Sequence, residues 1–111
     1  MENASFEDFQ ALDIRVGTIT HVEPFVGAHK PAYKLKVDFG SLGTKSSSAQ
    51  LTARYSADDL KGRQVMAVFN LPVKKIAGFK SEVLVLGIVN EEQEIVLLAS
   101  EKEVPNGSVV R

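Results

Sequence analysis

Tyr33, Leu35, Val37 and Phe39 alternate with Lys34, Lys36 and Asp38, and this period of two predicts a strand with one buried face. Less regular versions of the pattern flank it. Ile14 and Val16 alternate with Arg15, and after Gly17 the run resumes as Thr18 to Val22. A first strand follows, bent or bulged at Gly17 and ended by Pro24. Phe25 to Pro31 reads as a loop. Lys45 to Ala53 is rich in Ser and Thr and predicts a third strand after the turn at Gly40 to Gly43. Val65 to Phe69 is apolar enough to be a buried fourth strand, Val83 to Val89 reads as a fifth and Ile95 to Ala99 as a further one.

Two short helices punctuate this order. Ser5 with Asp8 three residues later has the spacing of a capping box, and Phe6, Phe9 and Leu12 recur every third residue, which predicts a helix over about 5–11. Ser56-Ala57-Asp58-Asp59-Leu60-Lys61-Gly62 carries a serine cap, acids in the first turn and a closing glycine. Three strands, a helix, two strands and an extension over about 95–111 match the order of an OB-fold, an all-β five-stranded Greek-key barrel. Another small antiparallel barrel, such as an SH3-like one, is the rival, and the helix between strands three and four favours the OB-fold. The 111 residues are one domain's worth of chain, and no internal repeat divides them.

Composition removes several function classes. There is no cysteine, so disulfides, thiolate metal sites and cysteine nucleophiles are excluded. No apolar run is long enough to span a bilayer, and the acidic start MENASFEDFQ lacks the pattern of a signal peptide. A cytoplasmic location without membrane insertion is the expectation. Phosphate-loop, dinucleotide and nucleophile-elbow motifs are absent, and His21 and His29 lack a metal-ligand context. A non-enzymatic protein without a cofactor is expected.

The formal net charge of −1 conceals an uneven distribution. Residues 1–14 carry −4, residues 91–111 carry −3, and residues 15–90 carry +6. A basic body between acidic ends suits an anionic partner, although a merely uneven solvated surface would give the same count. The cations concentrate in Pro72 to Ser81, read as a loop joining strands four and five at the ligand face of an OB-fold. Lys74, Lys75 and Lys80 are placed to neutralise phosphates, and Gly78 to admit a close ligand. Phe79 either stacks on a base or tucks into the barrel end. Lys34 and Lys36 lie on the outward face of strand two. Ser46, Ser48, Gln50 and Arg54 would share a polar face of strand three, suited to hydrogen bonds with a ligand or with water. His29, in the loop Ala28-His29-Lys30-Pro31, either helps to hold an anion or is a plain surface histidine.

The stretch Asp13-Ile14-Arg15-Val16-Gly17-Thr18-Ile19 resembles the opening strand of the tRNA-binding domain family, as do Leu60-Lys61-Gly62-Arg63-Gln64-Val65 and Asn70-Leu71. Ser46-Ser47-Ser48-Ala49-Gln50-Leu51-Thr52 and the residues from Lys75 to Gly87 resemble its CsaA-like branch. The resemblance spans nearly the whole chain and implies a single tRNA-binding-type OB-fold domain over 1–111. It implies a homodimeric, export-related chaperone that binds unfolded polypeptides or preproteins, with the Sec translocation ATPase as a possible associate. A free-standing tRNA-binding protein is the alternative. By position, Asn70, Lys75 and Ser81 match the ligand-loop pattern; Ala77 departs from it, because many relatives carry arginine before the loop glycine. The expected nucleic-acid contacts are therefore Lys34, Lys36, Ser48, Gln50, Arg54, Asn70, Lys74, Lys75, Gly78, Lys80 and Ser81, with Phe25 and Phe79 as candidates for a peptide. Spare apolar surface on the N-terminal segment and the extension, once paired between two copies, would give the homodimer.

Overall fold

A computed structural model describes residues 1–111. After α1 (Phe6–Ala11) come β1 (Ile14–Pro24), β2 (Tyr33–Asp38), a 3₁₀ turn (Gly40–Leu42) and β3 (Thr44–Ala49). Then follow α2 (Ala57–Leu60), β4 (Gln64–Val68), β5 (Lys74–Ile76), β6 (Phe79–Ser81), β7 (Leu84–Val85), β8 (Gly87–Val89) and β9 (Ile95–Leu97). The main sheet runs β3-β2-β1-β4-β7 and its pairs are antiparallel. A three-strand meander with the fourth strand returning beside the first is the Greek key. The sheet curls until its edges meet. The Glu82 amide donates to Ser46 O at 2.8 Å, and Ser47 Oγ donates to Val83 O at 2.8 Å. The fold is thus the all-β, five-stranded OB-type barrel.

Its core follows the strand period. Leu35 and Val37 from β2 and Phe39 just after it meet Ile19, Val65, Ala67 and Val83, and Leu60 joins them from α2. Each Val, Leu, Ile and Phe among them contributes about 1.5–3 kcal/mol by leaving water. Ser56 and Asp59 form the reciprocal capping box that starts α2, and Ser5 and Asp8 do the same for α1.

Gly17 does something other than expected. The bulge of β1 lies between Ile19 and His21, at Thr20, and not at Gly17. At Gly17 a Cβ would stand 2.7 Å from Val37 Cγ1, 2.8 Å from Phe39 Cδ1 and 2.9 Å from Asp38 O. The glycine is required because the end of β2 crosses β1 too closely for any side chain.

Two further expectations change. The apolar stretch Val83 to Val89 breaks at Leu86 into β7, in the barrel, and β8, which leaves it to pair with β9. Strand three ends at Ala49 rather than Ala53, and residues 52–54 turn. Gln50 and Arg54 are therefore off the strand and do not extend the face of Ser46 and Ser48.

The residues after β9 return to the first strand. Gly107 N–H donates to Val16 O at 2.7 Å, Val16 N–H to Ser108 O at 2.9 Å and Val110 N–H to Ile14 O at 2.8 Å. This tail covers the edge of β1 that β2 leaves free before Thr18.

Candidate ligand groove and lysine ribbon

The segment from Asn70 to Lys80 is not an open loop. Lys74–Ile76 and Phe79–Ser81 pair as an antiparallel ribbon, with Lys74 opposite Ser81, Lys75 opposite Lys80 and Ile76 opposite Phe79. Ala77 and Gly78 turn it with φ of +47° and +82°. Two consecutive positive φ values are those of a type I′ turn, whose twist matches the strands it joins.

The strand period divides the ribbon. Lys74, Ile76, Phe79 and Ser81 share one face, and Lys75 and Lys80 the other. The first face packs on the barrel. Ser81 Oγ accepts from the Ser48 amide at 3.2 Å, and Phe79 meets Phe25 edge to face with ring centroids 5.4 Å apart. Lys34 Nζ lies 4.9 Å from the Phe25 ring centroid and 5.2 Å from that of Phe79. A cation at this distance from two rings is attracted by both, so Lys34 pins the ribbon to β2.

Beside the ribbon lies a groove of about 790 Å³. Phe25, Leu51, Ile76, Leu84, Leu86 and Ile95 give it apolar walls. His29, Lys30, Lys74, Lys75, Ser48, Gln50 and Ser81 give it polar ones, and no acidic residue lines it. The groove therefore offers apolar contact and positive potential together, the combination expected of a site with a few placed polar groups on an apolar bed.

Five of the expected nucleic-acid residues, Ser48, Gln50, Lys74, Lys75 and Ser81, thus converge on one groove. Lys80 is exposed on the outer face of the ribbon, with Gly78 at its tip, and Lys36 is exposed on the outward face of β2. The remaining ones are engaged elsewhere. Arg54 Nη1 reaches Glu94 Oε1 at 3.4 Å. Asn70 Oδ1 accepts from the Asp13 amide at 2.8 Å, and its Nδ2 donates to Ala11 O at 2.8 Å, so Asn70 fastens the end of α1 to the end of β4. Phe25 is only 6% exposed; it forms a wall and is not a free aromatic hook. Phe79 is half-buried against it, the tucked alternative rather than the open stacker.

The apolar wall of Leu84, Leu86 and Ile95 was not anticipated as part of a site. Its signal was present: Val83 to Leu86 is apolar at every position. A strand without alternation has apolar groups on both faces, and one of them must face something other than the core.

A second hollow, about 320 Å³, lies between α1 and the tail and is lined by Phe6, Phe9, Leu12, Val109 and Val110 among others. Phe6 is 70% exposed, and Phe9, Leu12 and Val109 are also exposed.

Residues 14–109 match the family described as "Putative tRNA binding domain". Among solved structures, the chain is similar to chaperone CsaA from Bacillus anthracis, with 55% identity, a TM-score of 0.94, and 99% of this chain and 100% of that one covered. It is also similar to the CsaA chaperone protein from Picrophilus torridus, with 44% identity, a TM-score of 0.92, and 98% and 100% covered. A methionine–tRNA ligase from Thermococcus onnurineus is 38% identical over 111 residues, all of this chain but only 15% of the ligase.

Proposed function

We propose, from the premise that the chain belongs to the tRNA-binding domain family, that it is a non-enzymatic, export-related chaperone that takes unfolded polypeptides or preproteins into the groove. The observation that carries this reading is the groove's double character. Phe25, Ile76, Leu84, Leu86 and Ile95 offer apolar contact to side chains of an extended segment, while Ser48, Gln50 and Ser81 offer hydrogen bonds to its backbone. No motif for bond-making chemistry accompanies these residues. The similarity to two structures described as CsaA chaperones supports the reading.

The lysine ribbon favours a second activity on the same face. Lys74, Lys75 and Lys80 lie within three residue pairs of one another, and none takes part in an ion pair. Cations left free in this way bind phosphates and release counterions. A basic face that holds tRNA follows, and a free-standing tRNA-binding protein is the alternative if polypeptide does not bind. We further propose a cytoplasmic homodimer joined through the exposed Phe6, Phe9, Leu12 and Val109, with the Sec translocation ATPase as a partner. Pairing would bury apolar surface that the single chain leaves in water.

The test is a tRNA titration by fluorescence anisotropy across a salt series, repeated with excess unfolded polypeptide. A steep salt slope with displacement by polypeptide is the expected result. Polypeptide binding without any tRNA binding at low salt would remove the nucleic-acid role. The reverse would leave the tRNA-binding alternative.

A further inference from the structure

Asn106 and Gly107 meet a packing requirement that carries a chemical hazard. Gly107 has a φ of +93°, and a Cβ there would lie 2.6 Å from Phe39 O, so only glycine fits. Asn106 Oδ1 accepts from Thr18 Oγ1 at 2.8 Å and from Gln64 Nε2 at 3.1 Å, so the position needs a side-chain acceptor. Asparagine meets the second demand directly before the glycine that meets the first. That order is the one most open to succinimide formation, because glycine leaves its amide nitrogen unhindered.

The same packing silences the reaction. The Gly107 nitrogen, which would have to attack Asn106 Cγ, donates its hydrogen to Val16 O at 2.7 Å. Gly107 O accepts from Arg15 Nη1 at 3.0 Å. The Asn106 side chain is held by two donors from β1 and β4. Nucleophile and electrophile are each fixed to a different neighbour.

We propose that Asn106 is a latent deamidation site, closed while the tail is paired with β1 and opened when the tail peels away. In the open tail the Gly107 nitrogen bonds to Asn106 Cγ, the Cγ–Nδ2 bond breaks, and the Gly107 amide proton leaves with Nδ2 as ammonia. Solvent water opens the resulting succinimide at either carbonyl, giving aspartate or isoaspartate, with no change of oxidation state. Aspartate keeps the chain geometry and an acceptor for Thr18 and Gln64. Isoaspartate inserts a methylene into the backbone and moves Gly107 to Val110 out of register with Ile14 to Val16. One product therefore restores the tail, and the other makes its release permanent, uncovering the edge of β1.

The experiment ages the intact chain, its Thr18→Val variant and a free peptide of residues 104–111 in the same mildly alkaline buffer. Mass spectrometry of the tail fragment reads aspartate and isoaspartate. Modification limited by local opening is slowed by the opening equilibrium, so the intact chain should react at least about tenfold more slowly than the peptide. Thr18→Val should fall between them, and urea below the unfolding midpoint should accelerate the intact chain. Should the variant fail to fold, the urea series carries the test alone. Equal rates in chain and peptide would overturn the proposal, as would an inert peptide or a rate insensitive to urea. Hydrogen exchange on the isoaspartate form should show lost protection at Val16 and Val110; retained protection would sink the permanent release.

Discussion

Lys75 and Lys80 stand directly opposite each other across the β5–β6 ribbon, and neither has a carboxylate in salt-bridge range. Like charges in this position destabilise a strand pair. The ribbon keeps a repulsion that an anionic ligand would relieve. Replacing Lys80 with Glu should raise stability by about 0.5 kcal/mol while weakening tRNA binding. Denaturant midpoints and anisotropy titrations measure the two effects on one variant. A loss of both stability and binding would mean that the pair is structural.

Lys75→Ala should weaken tRNA binding and reduce the magnitude of the salt slope by about one unit, whereas Arg54→Ala should leave the slope unchanged. The difference rests on position, because Arg54 is turned toward Glu94 and lies off the groove. A salt series on both variants decides it, and a matching loss in Arg54→Ala would extend the site beyond the groove.

Ala77 holds a φ of +47° at the first central position of the ribbon turn. Asparagine tolerates this conformation better than alanine. Ala77→Asn should therefore stabilise the protein by up to about 1 kcal/mol, read as a rise in the urea midpoint at constant m-value. No rise would show that the turn bears no strain.

Gly17→Ala places a methyl group within 3 Å of Val37, Phe39 and the Asp38 carbonyl. Two of these contacts are with fully buried side chains that have nowhere to move. The cost should be about 1–3 kcal/mol or more, seen in thermal unfolding. A neutral result would mean that β2 can slide away from β1.

The Asp59 carboxyl is held below its ordinary value of 3.8, first by the Ser56 backbone amide and then by its hydroxyl. A depressed folded-state pKa gives stability that is complete above the unfolded value and fades as pH falls through the folded one. Ser56→Ala should cost about 1 kcal/mol near neutral pH, and the difference from the parent should narrow in acid. Urea titrations at neutral and acid pH measure both values; a difference that grows in acid would contradict the cap's role.

The barrel was legible because its signals are local. The alternation of Tyr33 to Phe39 fixes the inward face of β2, and the Ser-x-x-Asp spacings fix where both helices start. Gly17 was visible as special, but its reason lies across the sheet in the neighbouring strand β2, and no local pattern separates a bulge from a close crossing. The ribbon was hidden because alanine is a poor signal for the first position of a type I′ turn. The lysines of the groove could be read from charge density. Arg54 and Asn70 carry the same chemistry in the sequence, and only the partners Glu94, Ala11 and Asp13, distant along the chain, show that they are engaged. Phe25 shows the same limit, since an aromatic residue in a loop gives no sign of whether another ring covers it.

The tail that completes β1 also orders events during synthesis. Arg15 pairs with Val109, so the first strand of the barrel is finished only by residues that follow β9. While the chain is being extended, the edge from Ile14 to Val16 has no partner on that side and is open to pairing with any other strand. Contacts this far apart in sequence form late. Until those residues join it, the chain carries an exposed edge of its own, in the condition of the unfolded segments that its groove is proposed to receive.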